Sequence, residues 1–558
     1  MQRHNAALPP ARQLALEARA LVALARAGMF GNGSPRRLRA IAAALRDFGP
    51  FGGGPRVAAL RHGDLPAVTD ERGVISFVQL EEHVNRLANA LRNLGLGTGS
   101  HLGILCRNHR SMLIGMFAAS RAGLNTILLN TSFSARQATE VSEREGIELL
   151  IHDAELAEIA RDIDPVHGRV AIAIDNPAAD ELDRLIAAGD PALPAPVPPG
   201  RLVLLTSGTT GTPKGAPRVE PRSLVIPGAL LQRMPMHAHE ATVLAPPLFH
   251  GTGLLIAVLS LGLGSQLVLR RRFDPTDMLD DIANHRATAV CVVPVMLQRL
   301  LALGEDEIRH RDLSTLRVVF TAGSQLPAGV ATRISDLLGD VVYNLYGTTE
   351  ASVATLATPA DVRVAPGSVG KPALGSRVKI LDDHGAELPH GRIGRIFVGA
   401  TSPFEGYTGG GGKETIDGLM STGDLGHMDR AGRLYIDGRA DEMIVSGAEN
   451  VFPREVEELL VTHPAIADAA AIGVDDHEFG QRLCAFVVLR DGRHATTEQV
   501  QTYVKNNLAR YKVPRDVIFV DELPRNPTGK ILKRELAART NSASHHTPDV
   551  RTRSKSRA

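Results

Sequence analysis

A chain of 558 residues is longer than one hydrophobic core usually organises, so two or more domains are expected. Hydrophobic residues make up 44% and charged residues 22%, the composition of a soluble globular protein. The 62 basic residues against 61 acidic leave a net charge of +1, so no global field points to nucleic acid or to a membrane.

The first apolar period, ARQLALEARALVALARAGMF (11–30), interleaves arginines with Leu and Ala at helical spacing. Pro9, Pro10 and several arginines surround its start, which is not the layout of a secretory signal. Two uses of this helix stay open: a peripheral membrane contact, or packing on the main domain or a second subunit. Oligomeric state is not set by the sequence. Residues 1–60 are read as a helical extension.

From about residue 65 to 440, short β-rich runs alternate with amphipathic helices. HLGILCR (101–107) reads as a strand, SMLIGMFAASRAG as a helix and NTILLN as the next strand. The alternation recurs at ELLIHD, RLVLLTSG, ATAVCVVP, LRVVFTAG and DVVYNLYG. Such alternation predicts βαβ units around a mainly parallel sheet, an α/β class. The stretch 251–269 is uncharged for 19 residues, close to spanning length. Its four glycines and its β-like end favour a buried helix followed by a core strand. From GRIGRIFVG (391–399) the strands shorten into a small β-subdomain, and after YIDGRADE (435–442) comes a compact α+β unit. The expected layout is a large N-terminal domain over 61–438, a small C-terminal domain over 439–540 and a polar, disordered tail over 541–558. Cys106, Cys291 and Cys484 lie far apart and form no metal pair or disulfide framework, which fits a reducing cytoplasm.

The chemistry-bearing stretch is TSGTTGTPKG (206–215). A Walker loop is G-x-x-x-x-G-K-[ST]. Counting from Gly208, Pro213 stands where the second glycine belongs and Gly215 where the magnesium-binding hydroxyl belongs. What remains is a strand-ending loop rich in backbone N–H and hydroxyl donors, able to wrap a polyphosphate.

With PLFHGTG (247–253), YGTTE (346–350), STGDLGHMD (421–429), DGRADEMIVSGAENVFPREVE (437–457) and RNPTGKILKREL (525–536), the loop resembles the signature of the adenylate-forming superfamily. That family comprises acyl-CoA synthetases, beetle luciferases and the adenylation domains of peptide synthetases. The resemblance spans roughly residues 65 to 540, and its motifs are closest to those of fatty-acyl-CoA synthetases. It implies a mobile C-terminal domain and two steps. A carboxylate attacks the α-phosphate of ATP to give acyl-AMP, and a thiol then displaces AMP.

The resemblance also assigns residues. Thr206, Ser207, Gly208, Thr209, Thr210, Gly211 and Lys214 would hold the β- and γ-phosphates. Glu350 would bind Mg2+, a hard cation that takes one or two carboxylates. Thr349 would bond the α-phosphate, Tyr346 and Gly347 would flank the adenine, and Gly323, Ser324 and Gln325 would face the acyl pocket from the adenine side. Asp424 would accept both ribose hydroxyls, and Arg439 would contact the nucleotide. Asp441 falls at the hinge position, and Lys530 would bridge carboxylate and α-phosphate. His250 would line the acyl tunnel, and the loop around Gly447 would approach the arm of CoA, although Ala448 replaces a family glycine. PLFHGTG lacks the aspartate that amino-acid-activating relatives use for an α-amino group, which favours an apolar or aromatic carboxylic acid. The small residues downstream leave room for an alkyl chain, so a fatty or other apolar acid is expected.

The expected activity is therefore an AMP-forming acyl-CoA ligase, with a small carboxylic acid, ATP and CoA as partners and no nucleic acid. Two alternatives keep the fold: an acyl-AMP ligase serving a carrier protein, and an aryl-CoA ligase. A non-catalytic nucleotide-binding scaffold is disfavoured by the intact Lys530, Glu350 and Asp424.

Overall fold

The structure is a computed structural model that describes residues 10–31, 33–206, 213–218, 223–399, 404, 406–408, 410–446, 449–476, 480–527 and 529–543. Its chain separates into two compact units. One comprises Met1–Thr422, His427–Tyr435 and Pro527–Gly529; the other comprises Gly423–Gly426, Ile436–Asn526 and Lys530–Ala558.

The first unit is built on two large sheets. In the nine-stranded sheet, Pro66–Asp70, Gln266–Leu269, Ala241–Leu244, Ala289–Val292, Val318–Thr321 and Val342–Tyr346 run parallel in that spatial order. Antiparallel strands close both edges, Gly73–Ser76 on one side and Thr355–Ala357 with Lys371–Pro372 on the other. The six-stranded sheet places Arg169–Ile172, Leu149–Asp153, His101–Leu105, Asn125–Leu128 and Leu202–Thr206 in parallel order, and a hairpin adds Lys214–Arg218. Strands such as Leu149–Asp153 and Ala289–Val292 are buried at every position, which is why they read as near-continuous apolar runs. The βαβ expectation is met in both sheets, and the α/β class holds.

Local signals set the helix limits. Phe77–Asn93 starts at Ser76, whose hydroxyl and Gln79 form a capping box, and Ala135–Glu145 repeats the device with Ser134 and Gln137. Arg110–Ala122 is buried along its whole length. It carries a fully buried Arg121 that pairs with Glu81 at 2.8 Å and donates to the Gly52 carbonyl. Removing either partner of such a pair would leave an uncompensated buried charge.

The uncharged stretch 251–269 is a helix, Gly251–Gly262, followed by the core strand Gln266–Leu269. Among the described residues, no helix is long and apolar enough to cross a membrane. The N-terminal helix, Pro10–Arg26, packs one face on Val225–Leu231. Ala20 and Leu24 are fully buried, and a Cβ on Gly228 would lie 2.5 Å from the Ala20 Cα. Glu17 points the same way and accepts from the Leu224 N–H at 3.0 Å. A second helix, Pro35–His62, bends at Gly49.

A smaller sheet orders Arg377–Leu381, Gly394–Gly399, Leu419–Met428 and Thr415–Ile416, with Leu434–Arg439 beside Leu419–Met428. It is the β-subdomain expected from the shortened strands. In the second unit, Ile466–Asp476 pairs antiparallel with Gly480–Leu489, flanked by Ile444–Ser446, Glu449–Val451 and Asp516–Phe519. Helices Pro453–Val461 and Thr497–Asn507 cover this sheet with Val456, Leu460, Val500 and Val504. The last helix, Lys533–Ala543, takes in the start of the polar C-terminal segment.

Candidate active site

Three motif segments leave the carboxyl ends of parallel strands of the nine-stranded sheet. Residues 247–253 follow Ala241–Leu244; Gly323, Ser324 and Gln325 follow Val318–Thr321; Tyr346 ends its own strand, with Gly347, Thr349 and Glu350 just beyond. Ligands of open α/β sheets bind at these strand ends. The first two segments meet, since a Cβ on Gly323 would lie 3.8 Å from the Thr252 hydroxyl. In the other sheet, Thr206 ends Leu202–Thr206 and pairs with Lys214 across the hairpin, so the phosphate-type loop is held at its base. Ser207, Gly208, Thr209, Thr210, Gly211 and Gly447 lie outside the described residues.

Asn108 locks one segment in place. It follows the strand His101–Leu105, donates to the Pro246 carbonyl at 2.9 Å and accepts from the Leu248 N–H at 2.8 Å. The turn after Tyr346 is equally constrained. Ser352 donates to the Thr348 carbonyl at 2.8 Å, Ala351 donates to the Thr348 hydroxyl at 3.0 Å, and Ala354 donates back to the Tyr346 carbonyl at 3.0 Å. This fold-back brings the Ser352 carbonyl to within 1.8 Å of where a Cβ on residue 347 would sit, so only glycine fits there. Ser352 itself holds φ at 59°.

Glu350 is buried, at 7% exposure. Its Oε1 accepts from the Tyr407 hydroxyl at 2.5 Å, and the Lys413 ammonium stands 3.9 Å from the same oxygen. Among the described residues both contacts fall on Oε1, and Oε2 is the oxygen a hard cation would take. The buried carboxylate fits a magnesium ligand in donor chemistry and in charge. Burial, then the hydrogen bond and charge of Glu350, push the Tyr407 phenol pKa up, so Tyr407 stays a hydroxyl donor. The Lys214 ammonium lies 5.4 Å from the Tyr407 ring centroid. Next to it, Thr408 donates its N–H to the Gly215 carbonyl at 2.9 Å and its hydroxyl to Glu145 at 2.8 Å. A Cβ on Gly215 would strike that hydroxyl at 2.6 Å. The segment around Tyr407 therefore joins the phosphate-type loop to the Glu350 carboxylate.

His250 caps the helix Gly251–Gly262 without a side-chain cap bond and sits 4.6 Å, ring to ring, from Phe249. Its Nε2 is shut from solvent and has no hydrogen-bond partner among the described residues. Burial lowers its pKa to about 4, so the imidazole is neutral at pH 7. A neutral, dry ring suits an apolar pocket wall.

The second unit carries its own cluster. The Arg439 guanidinium bridges two carboxylates, donating to Asp424 at 3.1 Å and to Asp441 at 3.0 and 3.3 Å. Burial pushes the Asp441 pKa up, but the hydrogen bond and charge of Arg439, with the charge of Lys530, outweigh it and hold the carboxyl below its usual range. Lys530 is exposed at the end of a loop clasped by two bonds. Its N–H donates to the Asn526 side chain at 2.8 Å, and the Asn526 N–H donates to the Lys530 carbonyl at 2.9 Å. Glu442, next to Asp441, pairs with Lys533 at 3.1 Å.

Residues 56–408 match the AMP-binding enzyme family, and residues 455–530 match the AMP-binding enzyme C-terminal domain. The chain belongs to the AMP-binding enzyme family. A feruloyl-CoA synthase of an Amycolatopsis species is 32% identical over 87% of this chain and 96% of its own length. A fatty acid–[acyl-carrier-protein] ligase of Streptomyces coeruleorubidus is 30% identical over 85% of this chain and 93% of its own. Among solved structures, the o-succinylbenzoate CoA synthetase of Bacillus subtilis, in complex with its acyl-adenylate intermediate, superposes with a TM-score of 0.77. It is 27% identical and covers 87% of this chain and 97% of its own. The AMP-binding enzyme is an ATP-using, AMP-forming acid–thiol ligase.

Three residues of the site stand outside every motif of the sequence, and only one of them carries any local signal. Tyr407, Lys413 and Asn108 reach their partners across 57, 63 and 140 residues. The one usable signal was Tyr407, an aromatic amid glycines in a chain of only six tyrosines.

Proposed function

We propose that the protein activates an apolar carboxylic acid, a fatty acid in the first instance, and transfers its acyl group to the thiol of CoA. The observation that carries this reading is the helix that follows His250. All twelve of its residues are uncharged, and residues 247–253 offer no carboxylate to hold an amino group.

In the first step a carboxylate oxygen of the acid bonds to the α-phosphorus of ATP, and the bond to the β-phosphate oxygen breaks, releasing pyrophosphate. In the second the thiolate bonds to the acyl carbon and AMP leaves with its oxygen. Both partners of the first step are anionic, so the site must neutralise charge and align the reacting atoms. Glu350 would hold Mg2+, which supplies charge neutralisation at the phosphates. Thr206 to Lys214 supply donors to the phosphate chain, Thr349 a donor to the α-phosphate, and Tyr346 with Gly347 a platform for the base. Asp424 accepts the ribose hydroxyls, and Arg439 orients that carboxylate. Lys530 supplies a compact, mobile cation during adenylation, a role that suits lysine better than arginine.

The test is a panel of fatty and aryl acids with ATP, magnesium and CoA, read by mass spectrometry. Fatty acyl-CoA as the main product supports the proposal. Aryl-CoA as the main product supports the second reading, which the feruloyl-CoA synthase relative favours. AMP release without any thioester would instead point to a carrier-protein acceptor. For Lys530, Lys530→Ala is expected to abolish acyl-AMP formation while sparing thioester formation from supplied acyl-AMP. Equal loss of both half-reactions would remove that role.

A further inference from the structure

The N-terminal helix Pro10–Arg26 has two apolar faces. One, carrying Ala20, Ala23 and Leu24, is buried, as is Ala27 just past its end. The opposite face carries Leu14, Ala18, Leu21, Val22 and Ala25, all exposed, with Leu14 at 72%. Arg12, Arg19 and Arg26 recur every seven residues along one border of that face. The helix beginning at Pro35 repeats the pattern. Leu38 and Leu45 are exposed seven residues apart, and Arg39 and Arg46 stand beside them. Six of the eighteen exposed large apolar side chains among the described residues fall within residues 10–46, so this is a concentration and not ordinary scatter.

The charge of the same segment is one-sided. Its seven arginines are all exposed, and its one acid is not: Glu17 accepts from the Leu224 backbone, while Asp47, just past the segment, pairs with Arg46. Arg12 and Arg19 also line an open cleft of about 560 Å³, closed by Gln232, Arg233 and residues 372–376. A symmetric pairing of two copies through this face would set arginine against arginine.

We propose that the outward face of residues 10–46 seats the enzyme on an anionic lipid surface. The leucines enter the headgroup boundary, and the arginine row, with the cleft beside it, takes the lipid phosphates. This combination of an apolar ridge and a bordering cationic stripe is the anatomy of an interfacial helix, and it needs no spanning segment. The inference stands apart from the choice of substrate.

The full-length enzyme is floated with phosphatidylcholine vesicles and with vesicles that also contain phosphatidylglycerol. It is expected to rise with the anionic vesicles alone, and less so at high salt. Removing three arginines near the surface in Arg12→Gln/Arg19→Gln/Arg26→Gln should weaken that binding roughly hundredfold. Leu14→Asp/Leu21→Asp should abolish it. Both variants should keep the wild-type circular dichroism and form acyl-AMP from a soluble acid at the wild-type rate. Failure of the wild type to float, or equal flotation with both vesicle types, would overturn the proposal. So would a wild-type dimer, seen by sedimentation, that the leucine variants split into monomers, since a second copy would then cover the face.

Discussion

The acidic groups of the two units are held in opposite ways. Among the described residues, Glu350 in the first unit meets a neutral phenol at 2.5 Å and an ammonium only at 3.9 Å, so its negative charge is poorly compensated there. Asp424 and Asp441 in the second unit share one guanidinium through bonds of 3.0 to 3.3 Å. A carboxylate kept buried, oriented and short of positive charge is prepared for a cation. Two carboxylates already tied to an arginine gain little from a metal, which suits the positioning roles proposed for them. Charge compensation, more than the presence of a carboxylate, separates a metal ligand from a positioning group.

Glu350→Gln tests the first half of that contrast most severely. Glutamine keeps the shape and an acceptor for Tyr407 but removes the charge. Loss of cation-borne charge stabilisation should slow magnesium-dependent acyl-AMP formation by roughly a hundredfold or more. Pyrophosphate release at saturating magnesium measures it. A variant with wild-type rate would show that the uncompensated charge serves no cation, and the contrast would collapse.

What the sequence made legible follows from how local each signal is. Strand and helix alternation is written in periodicity, so Leu149–Asp153 and Arg110–Ala122 could be placed without a structure. The turn YGTTE and the loop TSGTTGTPKG are contiguous, so Glu350 and Lys214 could be singled out by motif. The partners of Glu350 could not, because Tyr407 joins it only when the chain returns 57 residues later. Asn108 clamps Leu248 from the neighbouring sheet, a relation that no spacing encodes. The N-terminal helix shows a third kind of limit. Its apolar period was visible, but a helix with two apolar faces does not say which one the fold will cover. Ala20 and Leu24 went inward because Gly228 lets the backbone approach.

Tyr407→Phe should have a smaller and more selective effect. The phenylalanine keeps the ring beside Lys214 and removes the donor to Glu350. Loss of one hydrogen bond to a charged group should raise the magnesium concentration for half-maximal adenylation by roughly fivefold to tenfold. The rate at saturating magnesium should stay near that of the wild type. A fall in that limiting rate with an unchanged magnesium requirement would mean that Tyr407 shapes the fold of the loop and does not hold the carboxylate for a cation.

The smallest effect concerns stability and tests the other cluster. Asp441 has its pKa held below the usual value of 3.8 despite partial burial, through Arg439 and the charge of Lys530. A carboxyl whose folded pKa is depressed binds fewer protons when folded than when unfolded as pH falls past the unfolded value. Its contribution is therefore complete above that value and is lost as pH drops through the folded one. Arg439→Gln removes the main source of the depression. The melting-temperature gap between wild type and variant should then be constant from pH 7 down to about pH 4 and shrink below it, because protonation removes the charge the arginine was holding. A gap that stays flat or widens in acid would show that Arg439 acts through packing alone. Asp441 would then be no more strongly compensated than Glu350.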